Sequence, residues 1–278
     1  MSGAGVSGTS SRYGVLGWPV AHSRSPAMML AAGLDRYQLL PVPPERFDET
    51  VRALAGAGFR GANVTIPHKE AALALADEAT PAARAIGAAN TLELRADGTI
   101  RASNTDAPGL LATIAGRPQA TAVVLGAGGS ARAVVWALRS VGAEVAVWNR
   151  TAARSRQLAL ELEASSVDDL PEYADLLINC TAVGLHDPSS TFSNLPLTSH
   201  DLAAYATVVD LVYRPGGTAL IDAARQQGSA TVDGLEILVS QGALSFTTWT
   251  GREAPVAEMR RAVRDTANGT SHSPDRRP

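Results

Sequence analysis

Short apolar runs alternate with stretches of helical period along most of the chain. Tyr13–Trp18, Gln38–Val42, Gly61–Ile66, Asn90–Leu94, Thr121–Gly126, Glu144–Trp148, Leu176–Cys180 and Thr207–Val212 are brief apolar segments bounded by turn residues, which predicts strands. Between them, Glu45–Ala57, His68–Ala76 and Ser130–Val141 place apolar positions at helical spacing. Thr80-Pro81 and Ser25-Pro26 each read as an N-cap followed by proline at the first helical position. This strand–helix alternation predicts parallel sheet. Two more helices, Glu236–Thr248 and Pro255–Thr266, close the pattern with no strand after them, and so are expected to return and pack on the first half.

The chain has 278 residues, enough for two domains. A boundary falls near Pro108–Pro118. It assigns 12–107 together with 237–267 to one α/β unit and 108–236 to a doubly wound parallel-sheet unit. Residues 1–11 and 268–278 are polar and rich in Gly, Ser or Pro, and are expected to be disordered tails. The N-terminal stretch has no apolar segment and does not read as a secretory signal. No run approaches the roughly 18 apolar residues that cross a bilayer, and a net charge of −3 carries no basic footprint for nucleic acid. One cysteine, Cys180, excludes a disulfide framework, and the five histidines have no ligand spacing, so no metal is expected. The expectation is a cytoplasmic protein with a small-molecule substrate and neither nucleic-acid nor membrane partners. Its oligomeric state is open, with a homodimer among the expected states.

The strongest local signal is Gly126-Ala127-Gly128-Gly129-Ser130-Ala131, between the apolar run ending at Leu125 and a helical run. This is G-x-G-x-x-A in strand–turn–helix context, where backbone N–H groups at a helix N-terminus meet a pyrophosphate. The alternative is a glycine turn used only for close packing; the context favours the dinucleotide. The next strand ends in Asn149-Arg150-Thr151, with Arg154 four residues after Arg150. NAD-binding units place a carboxylate at that strand end. Guanidinium groups there suit a 2′-phosphate, so NADP(H) is the expected cofactor.

In the first half, Ser23 and Ser25 offer hydroxyls beside a helix start, suited either to a carboxylate ligand or to plain capping. Lys69 falls at a helix N-terminus, where the dipole disfavours a cation, so it needs a carboxylate or a task. Asp106 reads as a helix cap or as that carboxylate. Ketone reduction by hydride needs a proton for the developing alkoxide, which a lysine ammonium held by a carboxylate can give.

Together the blocks GWPVAHSRSP, GANVTIPHK, GAANTL, SNTD, GAGGSARA, NRT, INCTAVGL, DLVYRPGGT and GLEILVSQGALSF, in this order from about Tyr13 to Gly251, resemble the shikimate dehydrogenase family. The resemblance implies a substrate domain plus a Rossmann domain, and the reversible NADPH-dependent reduction of 3-dehydroshikimate to shikimate in chorismate and aromatic amino-acid biosynthesis. It implies Lys69 and Asp106 as the catalytic pair, with Asp106 also contacting substrate. Ser23 and Ser25 would hold the substrate carboxylate, Thr65, Asn90 and Gln241 the ring hydroxyls, and Tyr213 would lie nearby. Gly126, Ala127, Gly128, Gly129 and Ser130, with Asn149, Arg150, Thr151 and Arg154, would bind NADP, and Thr181, Leu211 and Gly234 would border it. The alternatives are a relative that also uses quinate or NAD, and a non-catalytic metabolite binder. Three features depart from the family pattern. Met28-Met29 stand where it usually carries His-Asn, Ala27–Leu40 is a few residues short, and Ile237 replaces a common methionine. The first two bear on the first helix and the pocket wall.

Overall fold

A computed structural model describes residues 11–267, so the expected tails, 1–11 and 268–278, lie outside the described residues except for Ser11. In chain order the first unit contains β1 (Arg12–Gly17), α1 (Ser25–Ala31), β2 (Tyr37–Pro41), α2 (Phe47–Leu54), β3 (Phe59–Val64), α3 (Lys69–Leu75), β4 (Glu78–Ala79), α4 (Pro81–Ile86), β5 (Thr91–Leu94), β6 (Ile100–Ser103) and α5 (Asp106–Ile114). The second follows with β7 (Thr121–Leu125), α6 (Gly129–Ser140), β8 (Glu144–Trp148), α7 (Ala152–Glu161), β9 (Ser165–Ser166), β10 (Ala174–Asn179), α8 (Thr191–Asn194), β11 (Tyr205–Asp210), α9 (Ala219–Gln226) and β12 (Ala230–Val232). The long α10 (Gly234–Thr250) and α11 (Val256–Ala267) close the described chain.

The second sheet runs β12-β11-β10-β7-β8-β9, parallel throughout. Counted from β7 this is the dinucleotide-binding order 3-2-1-4-5-6, whose direction reverses between β7 and β10. Its central strands are apolar on both faces because helices cover both.

The first sheet corrects the expectation of parallel pairing throughout. Its order is β2-β1-β3-β5-β6-β4, and β5 runs antiparallel to both β3 and β6. The β5–β6 pair is a hairpin at Asp97-Gly98, where Gly98 takes φ +91 and Arg95 and Thr99 pair across the turn. Asp-Gly between two short apolar runs is a hairpin signal, and it adds the strand Ile100–Ser103 that periodicity alone passes over.

Local boundaries shift by a residue or two, as helix and strand ends do. The segment expected as the helix Glu45–Ala57 opens as a 3₁₀ turn, Pro44–Arg46, and becomes α-helical at Phe47. Thr80 caps α4 as expected, accepting from the Ala83 N–H at 3.2 Å. Ser25 does not cap α1: the N-cap is Arg24, and Ser25 is already helical with its N–H bonded to Ser23 Oγ.

The return of the last two helices is as expected. α10 starts against the second sheet, where a Cβ at Gly234 would lie 2.6 Å from the Val212 carbonyl oxygen. It ends on the first sheet, where Trp249 Nε1 donates to the Leu92 carbonyl and its ring fills the space over Gly61. Met28 and Met29 are fully buried in the cluster that α1 forms with α10 and α11, beside Phe246, Met259 and Val263. The Met-Met pair therefore makes this part of the first unit a purely apolar seat for the returning helices.

Candidate active site

The carboxyl ends of β1 and β3 from one sheet, and of β10 and β11 from the other, open onto a shared cleft that the start of α6 also lines at Ser130. In open α/β sheets this edge is where ligands bind. The lining includes Ser23, Ser25, Thr65, Lys69, Asn90, Asp106, Tyr213 and Gln241, all the residues expected to meet substrate. It also includes Ser130, Thr181, Leu211 and Gly234 from the expected cofactor set, and Ile237.

At its centre Lys69 Nζ lies 2.6 Å from Asp106 Oδ2, with both residues buried. Each is the first residue of its helix, α3 or α5. The α5 start favours the carboxylate while the α3 start opposes the cation, so the pairing resolves the misplaced lysine. Asp106 is free for this because Asn104 does the capping: its Oδ1 accepts from the Asp106 and Ala107 N–H groups. The second Asp106 oxygen accepts from Asn90 Nδ2 at 2.8 Å. Asn90 also donates to Gln241 Oε1 at 3.1 Å and accepts from the Thr105 N–H at 2.7 Å. Strands β3 and β5 and helices α5 and α10 thus converge on one connected polar floor.

Asn63 and His22 are polar cleft residues absent from the expected set. Asn63 is buried in β3, accepting from the Tyr37 hydroxyl at 2.8 Å and donating to Ser245 Oγ at 2.9 Å. Its signal was an amide in the interior of an otherwise apolar strand, a position that demands partners. His22 lines the cleft and meets His186, from the opposite unit, edge-on at 6.4 Å between ring centroids. Burial, and secondarily the His186 charge, push the His22 imidazole down. The serines bond each other, Ser23 Oγ to Ser25 Oγ at 3.2 Å, and burial pushes the neighbouring Tyr37 and Tyr213 phenols up so that they stay neutral. Cys180 also lines the cleft, and burial keeps its thiol protonated.

The glycine turn lies at the α6 end of the cleft. Gly126 takes φ +113, and its N–H bonds to the Trp148 carbonyl. Gly128, the N-cap of α6, faces open space, so a ligand can approach its backbone. Gly129 abuts Lys69, and the small Ala131 is fully buried. Asn149, Arg150, Thr151 and Arg154 do not line the cleft; they follow β8 and open α7. Asn149 Nδ2 donates to the Thr151 carbonyl, whereas Arg150 and Arg154 are exposed and enter no ion pair among the described residues. Free N–H groups at the α6 start and two uncommitted guanidinium groups at the β8 end fit the phosphates of NADP. No group of His, Cys, Asp and Glu suited to a metal ion occurs among the described residues, and no described helix is long and apolar enough to cross a membrane.

Comparison with known proteins points the same way. Family models match in three places: the shikimate dehydrogenase substrate binding domain over residues 15–92, shikimate / quinate 5-dehydrogenase over 111–201, and the shikimate 5'-dehydrogenase C-terminal domain over 234–264. The chain is 46% identical to a shikimate dehydrogenase (NADP(+)) of Methylobacterium radiotolerans over 276 residues, covering 91% of this chain and 96% of that protein. It is 44% identical to one from Thermus thermophilus over 262 residues, covering 91% and 97%. Among solved structures, a shikimate 5-dehydrogenase of Thermus thermophilus in complex with NADP(H) and shikimate superposes with a TM-score of 0.81 at 41% identity, covering 92% of this chain and 99% of that one.

Proposed function

This chain belongs to the shikimate dehydrogenase family, and we propose that it catalyses the reversible NADPH-dependent reduction of 3-dehydroshikimate to shikimate, with residue roles as follows. The observation that carries the reading is the buried 2.6 Å contact between Lys69 and Asp106, in a cleft shared with the α6 glycine turn. NADPH supplies a hydride to the ketone carbon. Lys69, as the ammonium, gives a proton to the oxygen that becomes the hydroxyl, and as the free amine takes it back in the reverse direction. Asp106 holds the ammonium in place, and with Asn90 and Gln241 offers acceptors and donors to ring hydroxyls. Ser23 and Ser25 bind the substrate carboxylate, Thr65 binds ring hydroxyls with Asn90 and Gln241, and Tyr213 lies near the substrate. Gly126 to Ser130 would hold the pyrophosphate, Asn149 to Arg154 the 2′-phosphate end, and Thr181, Leu211 and Gly234 would border the cofactor.

The proposal takes 12–107 with 237–267 as the substrate domain and 108–236 as the cofactor domain, supported by the two separate sheets, with helix α5 spanning the join. It takes the cytoplasm as the compartment, since the single cysteine is buried and free and calls for no oxidising environment.

The test is the absorbance of reduced nicotinamide when protein is mixed with shikimate and NADP, then with NAD, then with quinate and each cofactor. Signal with shikimate and NADP is expected. Equal or better rates with NAD would sink the cofactor assignment, and no signal from a folded protein that binds NADPH would sink the activity.

A further inference from the structure

We infer that Ser130 is a positioning residue for proton transfer: its hydroxyl, together with the Asp106 carboxylate, fixes the rotation of the Lys69 ammonium so that the third N–H faces the substrate. The inference rests on Lys69 being the proton donor. By its place in the glycine turn Ser130 falls among the residues expected to bind the cofactor, yet the partner its hydroxyl has is the lysine. Lys69 Nζ donates to Ser130 Oγ at 2.8 Å and to Asp106 Oδ2 at 2.6 Å.

An ammonium has three donors and no acceptor. With one N–H held, the head can still pivot about that N–H···O axis as the flexible stem moves. With two held by acceptors on different helices, α5 and α6, the third direction is determined. This serves both directions of the reaction. When the third N–H passes its proton to the substrate oxygen, the electron pair of that bond stays on Nζ. The two remaining N–H groups keep Asp106 and Ser130, so the lone pair points at the hydroxyl just formed and is aimed to take the proton back.

The packing beneath holds this geometry. A Cβ at Gly129 would come within 2.7 Å of Lys69 Cβ, so the α6 backbone can approach the lysine stem only because residue 129 is glycine. The bond also crosses between the two sheets' units, so the donor is aimed only at the spacing that brings the two halves of the cleft together.

The test measures Ser130→Ala and Ser130→Thr beside the parent enzyme. The titratable groups lining the same cleft, His22, Asp106, Cys180 and Tyr213, remain in both variants. Ser130→Ala is expected to lower kcat by about tenfold, the scale of one hydrogen bond to a charged group. The KM for shikimate and the Kd for NADPH should stay within about twofold, since the loss falls on the transition state. The alkaline limb of the ketone-reduction profile should move to lower pH, because an acceptor favouring the ammonium is gone. Ser130→Thr, which keeps a hydroxyl, should restore both. An undiminished kcat in Ser130→Ala, or a loss that appears in the NADPH Kd instead, would overturn the inference and leave the dehydrogenase reading standing. A parent enzyme without turnover would overturn that reading and this inference with it.

Discussion

Lys69 is a buried cation at the wrong end of a helix, and its surroundings make sense only with a task. The α3 N-terminus and the loss of hydration both oppose its charge, and Asp106, at the favourable start of α5, is the partner that offsets them. Removing the amine should therefore cost chemistry more than binding. Lys69→Ala is expected to lower kcat by about 10²- to 10⁴-fold, the usual worth of a positioned general acid. Shikimate affinity, measured by equilibrium titration, should largely survive, because Asn90, Gln241 and the serines remain. Full turnover in that variant would remove Lys69 from the mechanism. At this scale the sequence was informative where a residue violated a local rule, a lysine opening a helix, whereas Asp106 before Ala-Pro read equally as an ordinary cap. That the two meet was not legible, because it depends on how two helices from separate segments dock. Nor was the Lys69 to Ser130 bond, which depends on the same docking from a third segment. Asn63 was visible within GANVTIPHK, but its partners Tyr37 and Ser245 are distant in the chain.

At the scale of elements, cofactor choice sits on the β8–α7 junction. β8 ends at Trp148 and α7 begins at Ala152, so Arg150 lies in the turn and Arg154 in the first turn of the helix. Neither is committed to an acidic partner among the described residues, and neither meets substrate. The double variant Arg150→Ala, Arg154→Ala is therefore expected to raise the KM for NADP by about tenfold or more, from the loss of charge-assisted bonds to the 2′-phosphate. The KM for NAD should change little. Parallel losses with both cofactors would mean that the arginines act on the fold or on the shared pyrophosphate. The parallel Rossmann strands were legible as apolar runs because both their faces are covered. The hairpin β5–β6 was not, since a four-residue strand shows too little periodicity, and the Asp97-Gly98 turn was the one signal for it. The Met28-Met29 departure, read by itself, left the pocket wall in question. Its place in the helix contacts shows an apolar pair packed against the Gly242 face of α10.

For the whole molecule, the second sheet carries a buried carboxylate that makes stability depend on pH. Asp210 ends β11 and accepts from Asn179 on β10, from the Val212 N–H and from Thr218, the N-cap of α9. It joins two central strands to a covering helix at the same edge that forms the cleft. Burial raises its carboxyl to about 6, against the hydrogen bonds that favour the charged form. Between an ordinary unfolded-chain value of about 3.9 and that raised value, the folded state holds a proton that the unfolded chain has released. The Asp210 contribution therefore weakens as pH rises through that window and levels off above it. His22 and His68, whose imidazoles are pushed down mainly by burial, act in the opposite sense, with stability rising as pH climbs towards their unfolded-chain range. A single pH–stability curve mixes these effects. Comparing the parent with Asp210→Asn cancels the histidines, which both proteins keep. The variant should be less stable throughout, because an amide sets a donor against donors. Its deficit, from urea unfolding, should be largest near pH 4 and shrink by roughly 2 kcal/mol by pH 7. A deficit that stays constant across that range would show that Asp210 titrates alike in both states and that its burial is offset in full by the three groups that bond it.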